Sequence, residues 1–383
     1  MAKVKYTLYE ICLVQNCNLR CRYCSAGYGR WGKEPDVMST DTIDRAISFM
    51  VRNGADNFNA ACSGGETMVE FPSFRYFADN LIEAAATAGK QASIEVATNG
   101  VAINDEIADY LVSRKIMTTF SIDGDRRTTN RNRVTSSGKG MYDCITRGFK
   151  IYQDALQKQN HSDLNLKAEC TIDNNADLFQ SVVHLFNIGF DEVIARPTVS
   201  SVFTGFDSKG AVDAYLSSYR KLVRYILDPL ELEDIIVGKY KPMFSNIQFP
   251  LIQVITGKAT RTVCGALRSK ICIGCDGSIV PCFLFNTFSH ERYVLGSVFS
   301  GIDETKAQHI LQEFEVIQSD CDDCNCRDLC IVCYFKFIEE KHKAREEIED
   351  CRLIRESMKI LREEVDTRYN RKICSSKGHF SEK

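Results

Sequence analysis

The chain has 383 residues, 44% hydrophobic and 26% charged, with a formal net charge of −3. That length holds two domains or one large barrel with an appendage, and the near-neutral balance gives no reason to expect nucleic acid or an anionic membrane as partner. No apolar run approaches the roughly 18–20 residues of a membrane span, and Met1-Ala2-Lys3-Val4-Lys5-Tyr6 lacks the apolar core of a signal peptide, so a cytoplasmic protein is expected. The anomaly is 18 cysteines. In a reducing compartment they point to metal binding or catalysis before disulfides.

In chain order, residues 6–13 mix β-branched, aromatic and apolar side chains and predict a strand. It runs into Cys17-Asn18-Leu19-Arg20-Cys21-Arg22-Tyr23-Cys24, three thiols that a tight loop can aim at one point. Three ligands are one short of a closed zinc site; an iron–sulfur cluster with one iron open to a small molecule fits the count. A helix is predicted over 39–54, capped by Ser39 or Thr40, with Ile43, Ala46, Ile47, Met50 and Val51 on one face and Gly54 closing it. Strand 57–62 follows and ends in Ser63-Gly64-Gly65-Glu66. Helix 74–88 then leads to strand 93–97 and Thr98-Asn99-Gly100.

The unit recurs as helix 106–113 with strand 117–122 and Asp123-Gly124, helix 142–155 with strand 164–171, and helix 177–188 with strand 192–196. Six strands alternating with helices argue for parallel βα units in an open, partial barrel. Glycine and polar signals follow the strands at the end where such barrels keep their chemistry. Gly64-Gly65 is either a tight turn or a place where backbone approaches a ligand, and Glu66 can accept from an ammonium group. Cys12, Cys62, Cys144 and Cys170 lack metal spacing and read as small buried hydrophobes.

Tyr215, Tyr219, Leu222, Val223 and Ile226 follow helical spacing until Asp228-Pro229-Leu230, and 239–252 is irregular. The expected division is a barrel over 1–235, a connecting segment over 236–262 and a cysteine-rich domain with its tail over 263–383. Asp276-Gly277 predicts a two-residue hairpin turn. That register places Cys272 beside Pro281, and Cys275 opposite Ser278, four residues or roughly 13 Å along the strand from Cys282. Cys264, Cys282, Cys321, Cys324, Cys330, Cys333 and Cys351 are too many thiols for one zinc ribbon, although a zinc-binding module is the non-enzymatic alternative. Cys374, in a polar tail, is expected to be unstructured.

The Cys-x3-Cys-x-aromatic-Cys loop after the first strand and the Gly-Gly-Glu after the second resemble the radical S-adenosylmethionine (SAM) superfamily, over about residues 6–200. The resemblance implies that Cys17, Cys21 and Cys24 hold a 4Fe–4S cluster whose fourth iron takes the amino and carboxylate groups of SAM. It implies that Gly64, Gly65 and Glu66 bind the SAM amino end, that Tyr23 covers the adenine, and that Asn99, Ser121 and Arg133 make ribose and carboxylate contacts. Arg133 has the planar fork for a carboxylate. Its alternative is a solvated place in a basic loop with Arg126, Arg127 and Arg131, and for Asn99 the alternative is turn formation.

Residues 264–351 resemble the SPASM extension of radical SAM enzymes through Cys330, with a following gap of two residues where the pattern has three. This implies an α/β fold: a partial (β/α)6 TIM-like barrel, then a small cysteine-rich iron–sulfur domain with a β-hairpin and C-terminal helices. It also implies two auxiliary 4Fe–4S clusters, three clusters in all. One would be held by Cys321, Cys324, Cys330 and Cys351. The other would be held by Cys264, Cys282 and Cys333 with Cys272, Cys275 or Cys326, of which the hairpin favours Cys272.

The implied chemistry is hydrogen abstraction by a 5′-deoxyadenosyl radical, with auxiliary clusters taking up an electron and a flavodoxin or ferredoxin as reductant. A peptide or protein is the expected substrate, carried to a thioether or carbon–carbon cross-link; a sugar or nucleotide is the small-molecule alternative. Sulfatase-maturing members carry Asp after the Cys of Gly-x4-Cys, where this chain has Phe283. The cysteine loop begins sixteen residues in, which leaves a leader peptide to bind the barrel or a separate partner protein.

Overall fold

The computed structural model describes residues 4–26, 36–161, 163–198, 211–231, 234–235, 243–257, 264–287, 291–330, 333–339 and 349–369. Cys374 and parts of the expected connecting segment, 236–242 and 258–262, lie outside them. Strand β1 (Tyr6–Cys12) is followed by α1 (Thr40–Asn53), β2 (Gly54–Ser63), α2 (Phe71–Thr87), β3 (Gln91–Thr98), α3 (Asp105–Ser113) and β4 (Met117–Ser121). Then come α4 (Arg126–Asn132), α5 (Tyr142–Lys158), β5 (Lys167–Ile172), α6 (Leu178–Asn187), β6 (Glu192–Pro197), α7 (Ala211–Leu227), the two-residue β7 (Met243–Phe244) and α8 (Ser245–Thr256). The C-terminal region adds β8 (Lys270–Ile273), β9 (Ser278–Val280), α9 (Phe283–Thr287), β10 (Gly296–Ser297), β11 (Gly301–Ile302), α10 (Glu304–Ser319), α11 (Tyr334–Glu339) and α12 (Glu349–Tyr369).

Strands β1 to β7 lie in chain order, each parallel to the next, which is the partial βα barrel. Helices cover its outer face because alternate strand residues point that way. Ile94, Val96, Phe120, Ala168 and Cys170 are buried, and Phe120 sits among Phe149, Tyr152 and Phe190. The other set, including Glu95, Thr119, Ser121, Glu169 and Thr171, is less buried and lines the inner face. Parallel register keeps that set together, with Ser121 beside Glu169 and Thr171 beside Arg196. Helix α5 crosses close to the β3 turn: a Cβ at Gly148 would stand 1.9 Å from the Gly100 carbonyl oxygen. Among the described residues no helix is long and apolar enough to cross a membrane.

Three features depart from the sequence reading. The basic stretch read as a loop is helix α4, capped by the Asp125 side chain, which accepts from Thr128 N at 2.7 Å. It carries no apolar stripe, so only the cap announces it. Second, β8 pairs in parallel with β1, with Glu10 beside Cys272. The cysteine-rich region therefore extends the barrel's own sheet, in the order β11-β10-β9-β8-β1. Third, Cys272 pairs with Val280 and Ile273 with Ile279, one residue off the expected register. The turn is the three residues Cys275-Asp276-Gly277, with Gly277 at φ 80°, the left-handed position such a loop requires. Cys275 consequently sits in the turn, not on the strand.

Helix α12 returns to the barrel and packs on α7. Arg220 and Arg224 both reach Glu364, at 2.6 and 2.7 Å, and Tyr369 donates to the Leu230 carbonyl at 2.9 Å.

Candidate functional site

The cysteine loop leaves the C-terminal end of β1 and is fastened from three sides. The amides of Gly65 and Glu66 donate to the carbonyls of Val14 and Asn16, both at 2.8 Å. Arg20 N and Arg22 N donate to the carbonyls of Val134 and Asn132, at 2.7 and 3.0 Å, so α4 and the turn after it brace the loop's middle. A turn in which Cys24 N donates to the Cys21 carbonyl at 3.0 Å brings the last two thiols round. The Arg20 guanidinium closes the start through the carbonyls of Cys17 and Leu19, at 2.6 and 2.7 Å.

Gly65 is where backbone meets backbone. A Cβ there would lie 2.1 Å from the Asn16 carbonyl oxygen and 2.4 Å from that of Gln15. Gly65→Ala is expected to cost about 1–3 kcal/mol through this overlap and to push the cysteine loop off its seat. Thermal unfolding and iron content of the anaerobic protein check this, since a mere turn glycine would change neither appreciably.

Behind the loop lies Glu66, 2% exposed. Its Oε1 accepts from Met68 N at 3.1 Å and from Thr98 Oγ1 at 2.7 Å, and its Oε2 accepts from Asn99 N at 2.6 Å. Burial pushes this carboxyl's pKa up, and those three donors pull the other way. Asn99 donates from Nδ2 to Asn18 Oδ1 at 2.7 Å, and its own Oδ1 accepts from Val101 N at 3.0 Å. It is thus both the turn-former and a tie to the cysteine loop.

Arg133 is buried, 6% exposed, not solvated. Its Nε and Nη2 both donate to Asp123 Oδ1, at 3.1 and 3.0 Å. Asp123, fully buried, also accepts from Tyr23 Oη at 2.8 and 2.9 Å and from Thr171 N at 3.0 Å. The Tyr23 ring stacks beneath the guanidinium, 5.5 Å away. Asp123 was read from sequence only as a polar signal beside a glycine after a strand, with no role assigned to it. Ser121 stands half-buried at the end of β4, on the inner face.

The structure brings the three loop thiols into one electrostatic neighbourhood. Burial raises Cys17 to about 11, with Glu66 and Cys24 adding to it and the Leu19 amide opposing; that amide donates to Cys17 Sγ at 3.4 Å. Burial raises Cys21 to about 12, Arg133 opposing and Asp123, Cys17 and Cys24 adding. Bare of metal, these two thiols are neutral at pH 7, and a coordinated thiol is deprotonated, so loading releases protons and tightens as pH rises. Three half-buried thiols on one loop at an open strand end suit an iron–sulfur cluster. Among the described residues no three His, Cys, Asp or Glu side chains stand close enough for a single metal ion.

Two further thiol groups lie in the C-terminal region. Burial raises Cys330 to about 12, helped by Cys321, Cys351, Cys324 and Cys326. Burial likewise raises Cys282 to about 12, with Glu10 and Cys333 adding and Lys270 opposing. Burial drives Cys272 well up, with Glu10, Cys282 and Cys275 adding. Cys264 belongs to this second neighbourhood through Lys270. Cys275 turns the other way: its Sγ donates to the Cys12 carbonyl at 2.8 Å, packed beside Ala26 and Cys24. Cys326 feels Cys324 and α12 residues. Cys12, Cys62 and Cys170 are buried, as read from sequence, and Cys144 is half-buried.

Residues 11–163 match the profile of the Radical SAM superfamily. A cysteine-type anaerobic sulfatase-maturating enzyme of Clostridium novyi is 24% identical over 336 residues, which cover 82% of this chain and 84% of that protein. The enzyme of the same description from Clostridium perfringens (strain 13 / Type A) is 22% identical over 331 residues, again 82% and 84% of the two chains. The solved structure "Native anSMEcpe with bound AdoMet and Cp18Cys peptide" superposes with a TM-score of 0.72 at 16% identity, covering 95% of this chain and 99% of that one. At that identity it shows the fold alone, an α/β partial barrel of parallel strands with a cysteine-rich C-terminal region.

Proposed function

We propose that this member of the radical SAM superfamily oxidatively modifies a peptide, beginning with removal of one hydrogen atom from it. The observation that carries the reading is the loop of Cys17, Cys21 and Cys24, held at the mouth of β1 by the Glu66–Asn99 and Asp123–Arg133–Tyr23 sets. When bound there, a 4Fe–4S cluster and SAM supply the electron and the 5′-deoxyadenosyl radical. Gly64, Gly65 and Glu66 are assigned to the SAM amino end, and Tyr23, Asn99, Ser121 and Arg133 to the rest of the molecule. The barrel's inner face excludes bulk water and aims one C–H bond.

The thiol neighbourhoods support two auxiliary clusters, one on Cys321, Cys324, Cys330 and Cys351, the other on Cys264, Cys272, Cys282 and Cys333. Cys272 is preferred as the fourth ligand because Cys282 acts on it while Cys275 bonds to Cys12. Loaded, these thiols would hold redox groups able to accept the electron left on the substrate. Cys321→Ala is expected to remove about four irons, one cluster's worth, and to leave uncoupled SAM cleavage. Iron analysis beside 5′-deoxyadenosine counting checks this.

Peptide is preferred over sugar or nucleotide because both relatives are sulfatase-maturating enzymes and the superposed structure holds a peptide. Those likenesses also favour a second reading, conversion of a peptide cysteine to formylglycine, against which Phe283 stands where the maturating pattern has Asp. Mass spectrometry of cysteine-containing test peptides, incubated with SAM and a flavodoxin-type reductant, separates the readings. A thioether or cross-link product has lost two hydrogens and kept its sulfur, whereas formylglycine has lost two hydrogens and also exchanged its sulfur for oxygen. Stoichiometric 5′-deoxyadenosine with every peptide unchanged, and turnover of a sugar or nucleotide instead, would overturn the peptide reading.

A further inference from the structure

Glu10 lies on the inner face of β1, between the barrel and the cysteine-rich region, and no step above uses it. Its Oε1 pairs with Lys270 Nζ at 3.1 Å and its Oε2 accepts from Phe283 N at 2.6 Å. Both side chains are mostly shielded, 18% and 21% exposed. Glu10 is also the register partner of Cys272, Lys270 is two residues before Cys272, and Phe283 immediately follows Cys282. One carboxylate therefore ties together the two chain segments that carry Cys272 and Cys282.

We propose that Glu10 and Lys270 form a fixed charge pair that positions this thiol group and sets the reduction potential of the cluster it holds. The inference rests on the assignment of Cys264, Cys272, Cys282 and Cys333 to the first auxiliary cluster. The pair lies within electrostatic reach of that group: Glu10 acts on Cys272 and Cys282, and Lys270 feels Cys282 and Cys264. A buried negative charge disfavours adding an electron to a nearby cluster and a buried positive charge favours it; net charge and hydrogen bonding are how proteins tune such potentials.

The test is an EPR-monitored redox titration of the full-length, anaerobically reconstituted protein, each cluster followed by its own signal. Glu10→Gln, nearly isosteric, is expected to raise one potential, and Lys270→Met to lower the same one. The double variant Glu10→Gln/Lys270→Met should return toward wild type, Glu10→Asp should stay near it, and the other clusters' potentials should not move. A purely structural fastening would give no opposite-signed shifts that cancel. Unmoved potentials in both single variants, shifts of the same sign, or loss of that cluster's iron in both, would overturn the proposal. Wild-type protein holding iron for one cluster only would instead remove the assignment on which it rests, a separate outcome read from the same sample.

Discussion

Replacing Cys17, Cys21 and Cys24 together with alanine is expected to abolish SAM cleavage while the C-terminal thiols keep their iron. The loop's fastenings predict this separation. Its seat depends on the backbone of residues 14–16, 65–66, 132 and 134 and on the Arg20 guanidinium, none of which needs a thiol. Cys272 and Cys282 are positioned by β8, β9 and Glu10, and Cys321 and Cys324 by their own turn, in which Cys324 N donates to the Cys321 carbonyl at 3.0 Å. The variant should therefore fold, hold about two thirds of the wild-type iron, assuming three four-iron clusters, and release no 5′-deoxyadenosine above background under reduction. Cleavage that survived would mean that the loop is not the site where SAM is opened.

The second large effect is structural. Asp123→Ala is expected to destabilise the protein by about 3–5 kcal/mol, the usual cost of leaving a buried partner charge unpaired. The charge left behind is Arg133, whose side chain is 8% exposed. The same change strips acceptors from Tyr23 Oη and Thr171 N. Tyr23 sits between Cys21 and Cys24 in the chain, so the loss reaches the cysteine loop directly. Denaturant unfolding checks the magnitude. Asp123→Asn, which keeps the shape and one acceptor, should fall between the alanine variant and wild type.

Much of the barrel was legible because its signals are local and repeated. Each strand from β1 to β6 carries a run of apolar or alternating residues, and a turn residue marks its end: Gly64 and Gly65, Asn99, Gly124. The spacing of the loop cysteines is also local. What the sequence left hidden depends on distant pairing. The four residues of β8 contain nothing that specifies β1 as their neighbour, so the merging of the cysteine-rich region into the barrel sheet was not readable. The hairpin register shifted because Asp276-Gly277 suits either a two-residue turn or the end of a three-residue one, and one residue moves every side chain across the sheet.

At the site, Glu66, Asn99 and Arg133 were visible as residue types in suggestive places, but their partners were not. The structure has Glu66 accepting from three donors of its own chain and Arg133 paired with Asp123. Helix α4, with polar and basic residues throughout, shows its purpose only in three dimensions, where its last residue accepts from Arg22 N. Glu10 looked like an ordinary polar position on a strand until β8 and Phe283 closed around it.

The most direct test of the central claim is metal analysis of the anaerobically purified chain, paired with SAM turnover under reduction. The expected result is a brown protein with about twelve irons per chain, from three four-iron clusters, and 5′-deoxyadenosine formed on reduction. Stoichiometric zinc, with SAM left intact, would contradict it.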